Sequence, residues 1–168
     1  MFSTYYLFKN NVLKYISIVL IFCVFCAQLS ITETFYYTDI CKTNFEIDSS
    51  NKIIQDLQKA GIKEKSKIAI IGYKKPVLNN TCIAGEMVGK SSYNANHEAY
   101  PYYIYSTANI LGVWRSIGYD YTACSGEQIL EARKIAEEEK IPSWPEEGCI
   151  KNCGDYYLIK ISEDDLPW

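Results

Sequence analysis

The apolar positions first gather into one run. From Tyr15 the chain reads YISIVLIFCVFCAQLSI to Ile31 without a charge. Val12 and Leu13 extend the run, interrupted by Lys14. A membrane-crossing helix needs about 20 mostly apolar residues, which the run reaches with its flanks. A cleaved signal peptide is the competing reading, with Lys9 and Lys14 as its basic n-region. The length of the run and the poor cleavage site at Cys26-Ala27-Gln28 favour a retained transmembrane helix over residues 12–31. Lys9 and Lys14 precede it, while Glu33 and Asp39 follow, with Lys42 further out. The positive-inside rule then predicts a cytoplasmic segment 1–11 and an extracytoplasmic domain over 32–168.

Beyond the run the period changes. In TETFYYTDICKTNFEIDSSNKIIQDLQKAG, Phe45, Ile53, Ile54 and Leu57 share a helical face, and Gly61 is a natural stop. Either Asp48 or Ser49 caps an inner break, or the segment continues the membrane helix outward. Ile68 to Ile71 is a short apolar run between Lys67 and Gly72, predicted as a buried strand that Pro76 prevents from continuing. Residues 77–101 have no periodicity and read as a long loop, with room for a short strand near Thr81–Ala84.

YYIYSTANILGVWRSIG reads as a helix with Ile104, Ala108, Leu111, Trp114 and Ile117 on one side, ended by Gly118. Ser125 and Gln128 form a capping box for the next helix. Ile129, Ala132, Ile135 and Ala136 face inward there, and Glu137, Glu138 and Glu139 form a solvated face. Pro142 and Pro145 stop this helix. Two short strands, about 148–151 and 156–162, flank the turn residues Asn152-Cys153-Gly154-Asp155 as a hairpin. Leu158, Ile159 and Ile161 place the last strand in the sheet. The expected fold is α/β: one membrane helix, then a small domain with a sheet of about three to four strands and flanking helices.

Composition narrows the function classes. The 168 residues suit one domain, and the net charge of -3 offers no basic footprint for nucleic acid. A hydrophobic share of 48% rules out a disordered chain. The 15 tyrosines suit membrane interfaces or sugar stacking, although a tyrosine-rich core explains them more simply.

The stretch AGEMVGKS at 84–91 resembles a Walker A phosphate loop only if Ala84 replaces the first glycine. The residues after Lys90 are poor helix material, the strand at 68–71 ends well before Ala84, and Asp164 is a weak Walker B candidate. ATP is therefore not expected. His97 is the single histidine, read as an exposed loop residue, and no second histidine supports a metal site. Cys23 and Cys26 lie in the apolar run, where cysteine acts as a small hydrophobe. Cys41, Cys82, Cys124, Cys149 and Cys153 remain, an odd number. Cys149 and Cys153 are placed to bridge the hairpin turn, with free thiols as the default. No catalytic motif, cofactor fingerprint or metal-ligand set emerges.

Three stretches carry a resemblance: KIAIIG at 67–72, WRSIGYDY at 114–121, and IPSWPEEGCIKNCGDYYLIKIS at 141–162. In this order they resemble the C-terminal part of bacterial membrane glucosyltransferases of the O-antigen-modification type, the glucosyltransferase II family. Pro142, Pro145, Gly148 and the strand at 156–162 match the family's terminal turn and strand. The resemblance spans about residues 12–162. It implies transfer of glucose from a polyprenyl-phosphate donor to a surface polysaccharide outside the membrane. It also implies that the catalytic acids lie in outer loops this chain does not contain, so the chain is expected to be a C-terminal fragment inactive alone, with no catalytic residue carried over. A non-catalytic, single-pass anchored binding module is the alternative. Glu86, Glu98 and the tyrosines of 93–105 are candidates to face a glycan.

Overall fold

The computed structural model describes residues 11–74, 76, 82, 91–93 and 103–162, with the side chains of 103–106 excepted. The first element is a single unbroken helix, α1, Asn11–Lys59, of 49 residues. At about 1.5 Å per residue it is about 73 Å long. Its N-terminal half carries the apolar run with side chains bare, and it is long and apolar enough to cross a membrane. Its C-terminal half buries Ile53, Ile54 and Leu57 against the rest of the protein.

The inner break at Asp48 or Ser49 does not form, and the helix continues outward instead. Ser49 and Ser50 are buried in the helix–domain contact, and Ser50 Oγ meets the Tyr93 hydroxyl at 2.8 Å. Packing of this face against the domain favours the continuous helix, and Asp48 pairs with Lys52 one turn on instead of capping. Thr32, Thr34 and Thr38 turn their hydroxyls back onto the carbonyls of Gln28, Ser30 and Thr34, so the helix satisfies them itself.

Gly61, at φ +78°, turns the chain into β1, Lys67–Ile71. The following elements are α2 (Tyr103–Ser116), β2 (Thr122–Ala123), α3 (Gly126–Glu138), β3 (Ile150–Asn152) and β4 (Tyr157–Lys160). They give a mixed four-stranded sheet of order β2-β1-β4-β3. β1 pairs in parallel with β2 and with β4, and β3 pairs antiparallel with β4. The α/β expectation holds, and the capping box of Ser125 and Gln128 opens α3 as expected.

One element is added to the expected pattern and one reading of it is corrected. β2 was not foreseen, because two residues carry no period. On α2, Ala108 faces out, while Thr107, Ile110, Leu111 and Trp114 are buried. The small Ala108 gives little burial, so Ile110 wins the inward face. The strand expected near Thr81–Ala84 lies outside the described residues, apart from Cys82.

The sheet separates two cores, as the period of two along a strand requires. Ile68 and Ile70 of β1, with Ile159 of β4, face α1 and α2. Ala69 and Leu158 face α3 with Ile129, Ala132 and Ala136. This division removes the proposed Cys149–Cys153 bridge. Cys149 packs in the first core and Cys153 against the second, and both thiols are free.

Candidate functional site

In an open α/β sheet, ligands bind outside the carboxyl ends of the strands, where successive crossovers leave in opposite directions. Here that place lies between β1 and β4. From β1 the chain crosses through α2 to β2 on one side; from β2 it crosses through α3 and β3 to β4 on the other. α2 packs on one face of the sheet and α3 on the other.

The backbone is tight at this edge. Ile161 N donates to Ile71 O at 2.8 Å, continuing the β1–β4 pairing one residue past the end of β4. Gly72 follows at φ +88°, and a Cβ there would lie 2.8 Å from both the N and the O of Ser162. Only glycine allows the chain to leave β1 so close to Ser162.

Lys74 comes next. Its backbone N–H donates to Tyr93 O at 2.9 Å, joining the two ends of the intervening segment. Its amine lies 4.2 Å from the Trp144 ring centroid and 6.0 Å from that of Phe45. Burial among these rings pushes the Lys74 pKa down, and Lys52 nearby lowers it further. Trp144 is itself fixed: its backbone N–H donates to Lys160 O at 2.8 Å, and its indole N–H to Asp56 Oδ2 at 3.0 Å.

Behind Lys74, three contacts fasten the returning chain to α1 and α2. Glu46, buried on α1, accepts the Ser92 backbone N–H at 2.5 Å. The Tyr93 hydroxyl lies 2.8 Å from Ser50 Oγ and accepts the Trp114 indole N–H at 2.9 Å. Ser91 Oγ accepts the Tyr93 N–H at 3.1 Å. Desolvation is the main reason that the Tyr93 hydroxyl pKa is raised to about 12, so this group stays protonated and structural.

The sequence candidates fare unevenly. Tyr93, one of the proposed glycan-facing tyrosines, is fully buried and unavailable for stacking. Glu86, Glu98, His97, Asp164 and residues 84–90 of AGEMVGKS lie outside the described residues. Among the described residues no group of three potential metal ligands occurs. Periodicity gave no hint of Lys74, Glu46 or Trp144. Lys74 had one available signal: it stands just past a buried strand and before Pro76, where a parallel sheet places its ligand groups.

A second polar group sits on the opposite face. Tyr156 is buried, with its hydroxyl 3.3 Å from Glu131 Oε2 and beside the Cys153 thiol. Burial raises the pKa of the Cys153 and Cys124 thiols, to about 11 for Cys124, which keeps both protonated and poorly nucleophilic.

Comparison with known proteins finds no match: no family model fits the chain, no curated protein is similar to it, and no solved structure resembles it.

Proposed function

We propose that the chain is the membrane-anchored C-terminal part of a polyprenyl-phosphate-dependent glucosyltransferase. In this reading α1 crosses the membrane once, with its N-terminus in the cytoplasm, and the α/β domain lies outside. Glucose passes to a surface polysaccharide in catalytic loops elsewhere in the enzyme, and this piece is inactive alone. The observation that carries the anchored reading is the unbroken run of α1 from a bare apolar segment into the buried core. A helix fixed at both ends holds the domain at a set height over the bilayer.

The exposed aromatics support the same reading. Tyr15 stands at one end of the apolar run and Phe35, Tyr36 and Tyr37 beyond the other, all exposed. From Tyr15 to Tyr36 the helix rises about 31 Å, close to the roughly 30 Å hydrocarbon thickness. Tyrosines are enriched at both membrane interfaces. The glucosyltransferase part rests on the three stretches of resemblance. In the fold they supply the central strand, the end of α2, and the Trp144 turn with the terminal strand.

Two experiments test this. Alkaline phosphatase and, separately, a cytoplasm-only fluorescent protein are fused after Trp168 in living cells. Phosphatase activity without fluorescence is expected, and the reverse overturns the orientation. Removing residues 32–168 in the source cell is then expected to remove a hexose increment from the mass of the surface polysaccharide. An unchanged polysaccharide sinks the glucosyltransferase part and leaves an anchored binding module, the reading that the ring-bracketed Lys74 favours.

A further inference from the structure

Within the apolar run of α1 one side chain carries an amide. Gln28 is exposed, and among the described residues that amide has no hydrogen-bond partner. Thr32, Thr34 and Thr38 are satisfied by carbonyls of their own helix and make no such demand. Gln28 stands three residues inside Ile31 and eight inside Tyr36, about 4.5 and 12 Å along the helix axis. Its Cα–Cβ bond tilts toward the helix N-terminus, away from the nearer membrane surface. An amide left unpaired in hydrocarbon is costly, and transmembrane helices relieve that cost by hydrogen bonding across their interfaces.

Helix geometry sets the face. Glu46 is eighteen residues beyond Gln28, which at about 3.6 residues per turn is five whole turns. Gln28 therefore lies on the face of α1 that buries Glu46, Ser50, Ile53 and Leu57. A groove lined by Leu20, Ile21, Val24, Phe25 and Gln28 runs along this face within the apolar run. Two copies of the chain cannot pair here with two-fold symmetry. Each would bring its domain into the gap between the helices, and closely packed helices lie only about 8–10 Å apart. A different helix fits beneath the domain. Thr38, the first buried residue of α1, is ten residues above Gln28, a rise of about 15 Å.

We propose that this face docks a second, non-identical transmembrane helix, and that the partner presents a hydrogen-bonding side chain to the Gln28 amide at the same depth in the membrane. The proposal rests on the anchored reading and goes beyond it. It does not depend on glucosyl transfer.

The test places a photoreactive residue, p-benzoylphenylalanine, in the full chain at one of two positions. Val24 lines the groove about one turn from Gln28, and Val19 lies about two and a half turns away, on the opposite face. Membranes of the source cell are irradiated, and adducts are mapped by mass spectrometry. The probe at Val24 is expected to join a hydrophobic segment of another protein that carries Asn, Gln, Ser, Thr, His, Asp or Glu within one turn of the adduct. The probe at Val19 is expected to join lipid. Gln28→Leu should lower the protein adduct at Val24 several-fold, and Gln28→Asn should recover part of it. Changing the partner's polar residue to Leu should lower the yield equally, and both changes together no further. An adduct segment without such a side chain, or a yield unmoved by Gln28→Leu, overturns the hydrogen bond. An adduct of twice the chain's own mass overturns the non-identical partner in favour of a second copy. Lipid adducts alone at Val24 overturn the docking face and leave the anchored reading standing. If neither position gives a lipid or a transmembrane adduct, the anchored reading falls and the proposal with it.

Discussion

The hydroxyls of Tyr93 and Ser50 meet at 2.8 Å across 43 residues of sequence. The same Tyr93 oxygen accepts the Trp114 indole N–H, so one atom ties α1 to α2. All three side chains are fully buried. Tyr93→Phe therefore leaves two buried polar groups without their partner, at a cost of about 1–3 kcal/mol. Ser50→Ala removes one bond and leaves Tyr93 paired with Trp114, for a smaller loss of about 1 kcal/mol. Urea unfolding of the full chain in detergent, followed by tryptophan fluorescence, measures both. Equal midpoints for Tyr93→Phe and the parent chain would mean that the clasp adds nothing to stability.

Gly72 and Gly61 both sit at positive φ, which separates strain from crowding. An alanine Cβ at Gly61 meets nothing within 4 Å, whereas at Gly72 it lies 2.8 Å from the Ser162 backbone. Gly61→Ala bears only the conformational cost of about 1 kcal/mol. Gly72→Ala adds a clash that neither backbone can relieve without breaking the Ile161–Ile71 hydrogen bond, so it should cost at least twice as much. The same unfolding assay ranks the two variants, and equal losses would show that the β4 end shifts freely.

Asp56 links pH to the seating of Trp144. Its carboxyl pKa is held below the ordinary aspartate range, first by the hydrogen bond from Lys59 and then by that from the Trp144 indole. A depressed folded pKa gives stability that is fully present above the unfolded value and lost as pH falls through the folded one. Asp56→Asn should therefore lower stability at neutral pH. Its deficit against the parent chain should narrow as pH falls below about 4, the ordinary aspartate range. Unfolding midpoints at a series of pH values check this, and a deficit constant with pH would leave only the hydrogen bond and no charge effect.

The elements legible in the sequence were those with a strong local signal. The strand at 68–71 stood out as an apolar run between a lysine and a glycine. The start of α3 was marked by Ser125 and Gln128, and the last hairpin by its turn residues. The two-residue β2 had no signal, since its strand character comes from pairing with β1. Asp48 and Ser49 read as cap residues for an inner break because such side chains cap helices when they are free, and here the helix runs on and Ser49 is buried. The candidate site was the least legible part. Lys74, Phe45 and Trp144 come from three places in the chain, and only the return of β1 along α1 brings them together.

The native cysteines provide a ruler for the anchored reading. Cys23 and Cys26 are exposed on the bare part of α1, within the apolar run, so only lipid would shield them. Cys41 stands ten residues past Ile31, a rise of about 15 Å, which clears a headgroup layer of roughly 5–8 Å. A membrane-impermeant maleimide should therefore label a chain retaining only Cys41 in intact cells. A chain retaining only Cys23 should label in detergent and not before. Protection of Cys41 until the cells are lysed would put the domain in the cytoplasm, against the proposed orientation. Labelling of Cys23 in intact cells would show that no bilayer covers the apolar run. Loss of Cys23 from the mature chain, seen as a shorter product, would reveal cleavage as a signal peptide. A shielded Cys23 together with a reactive Cys41 fits none of these alternatives, because a bilayer between the two residues is the one barrier that protects the first and leaves the second open to water.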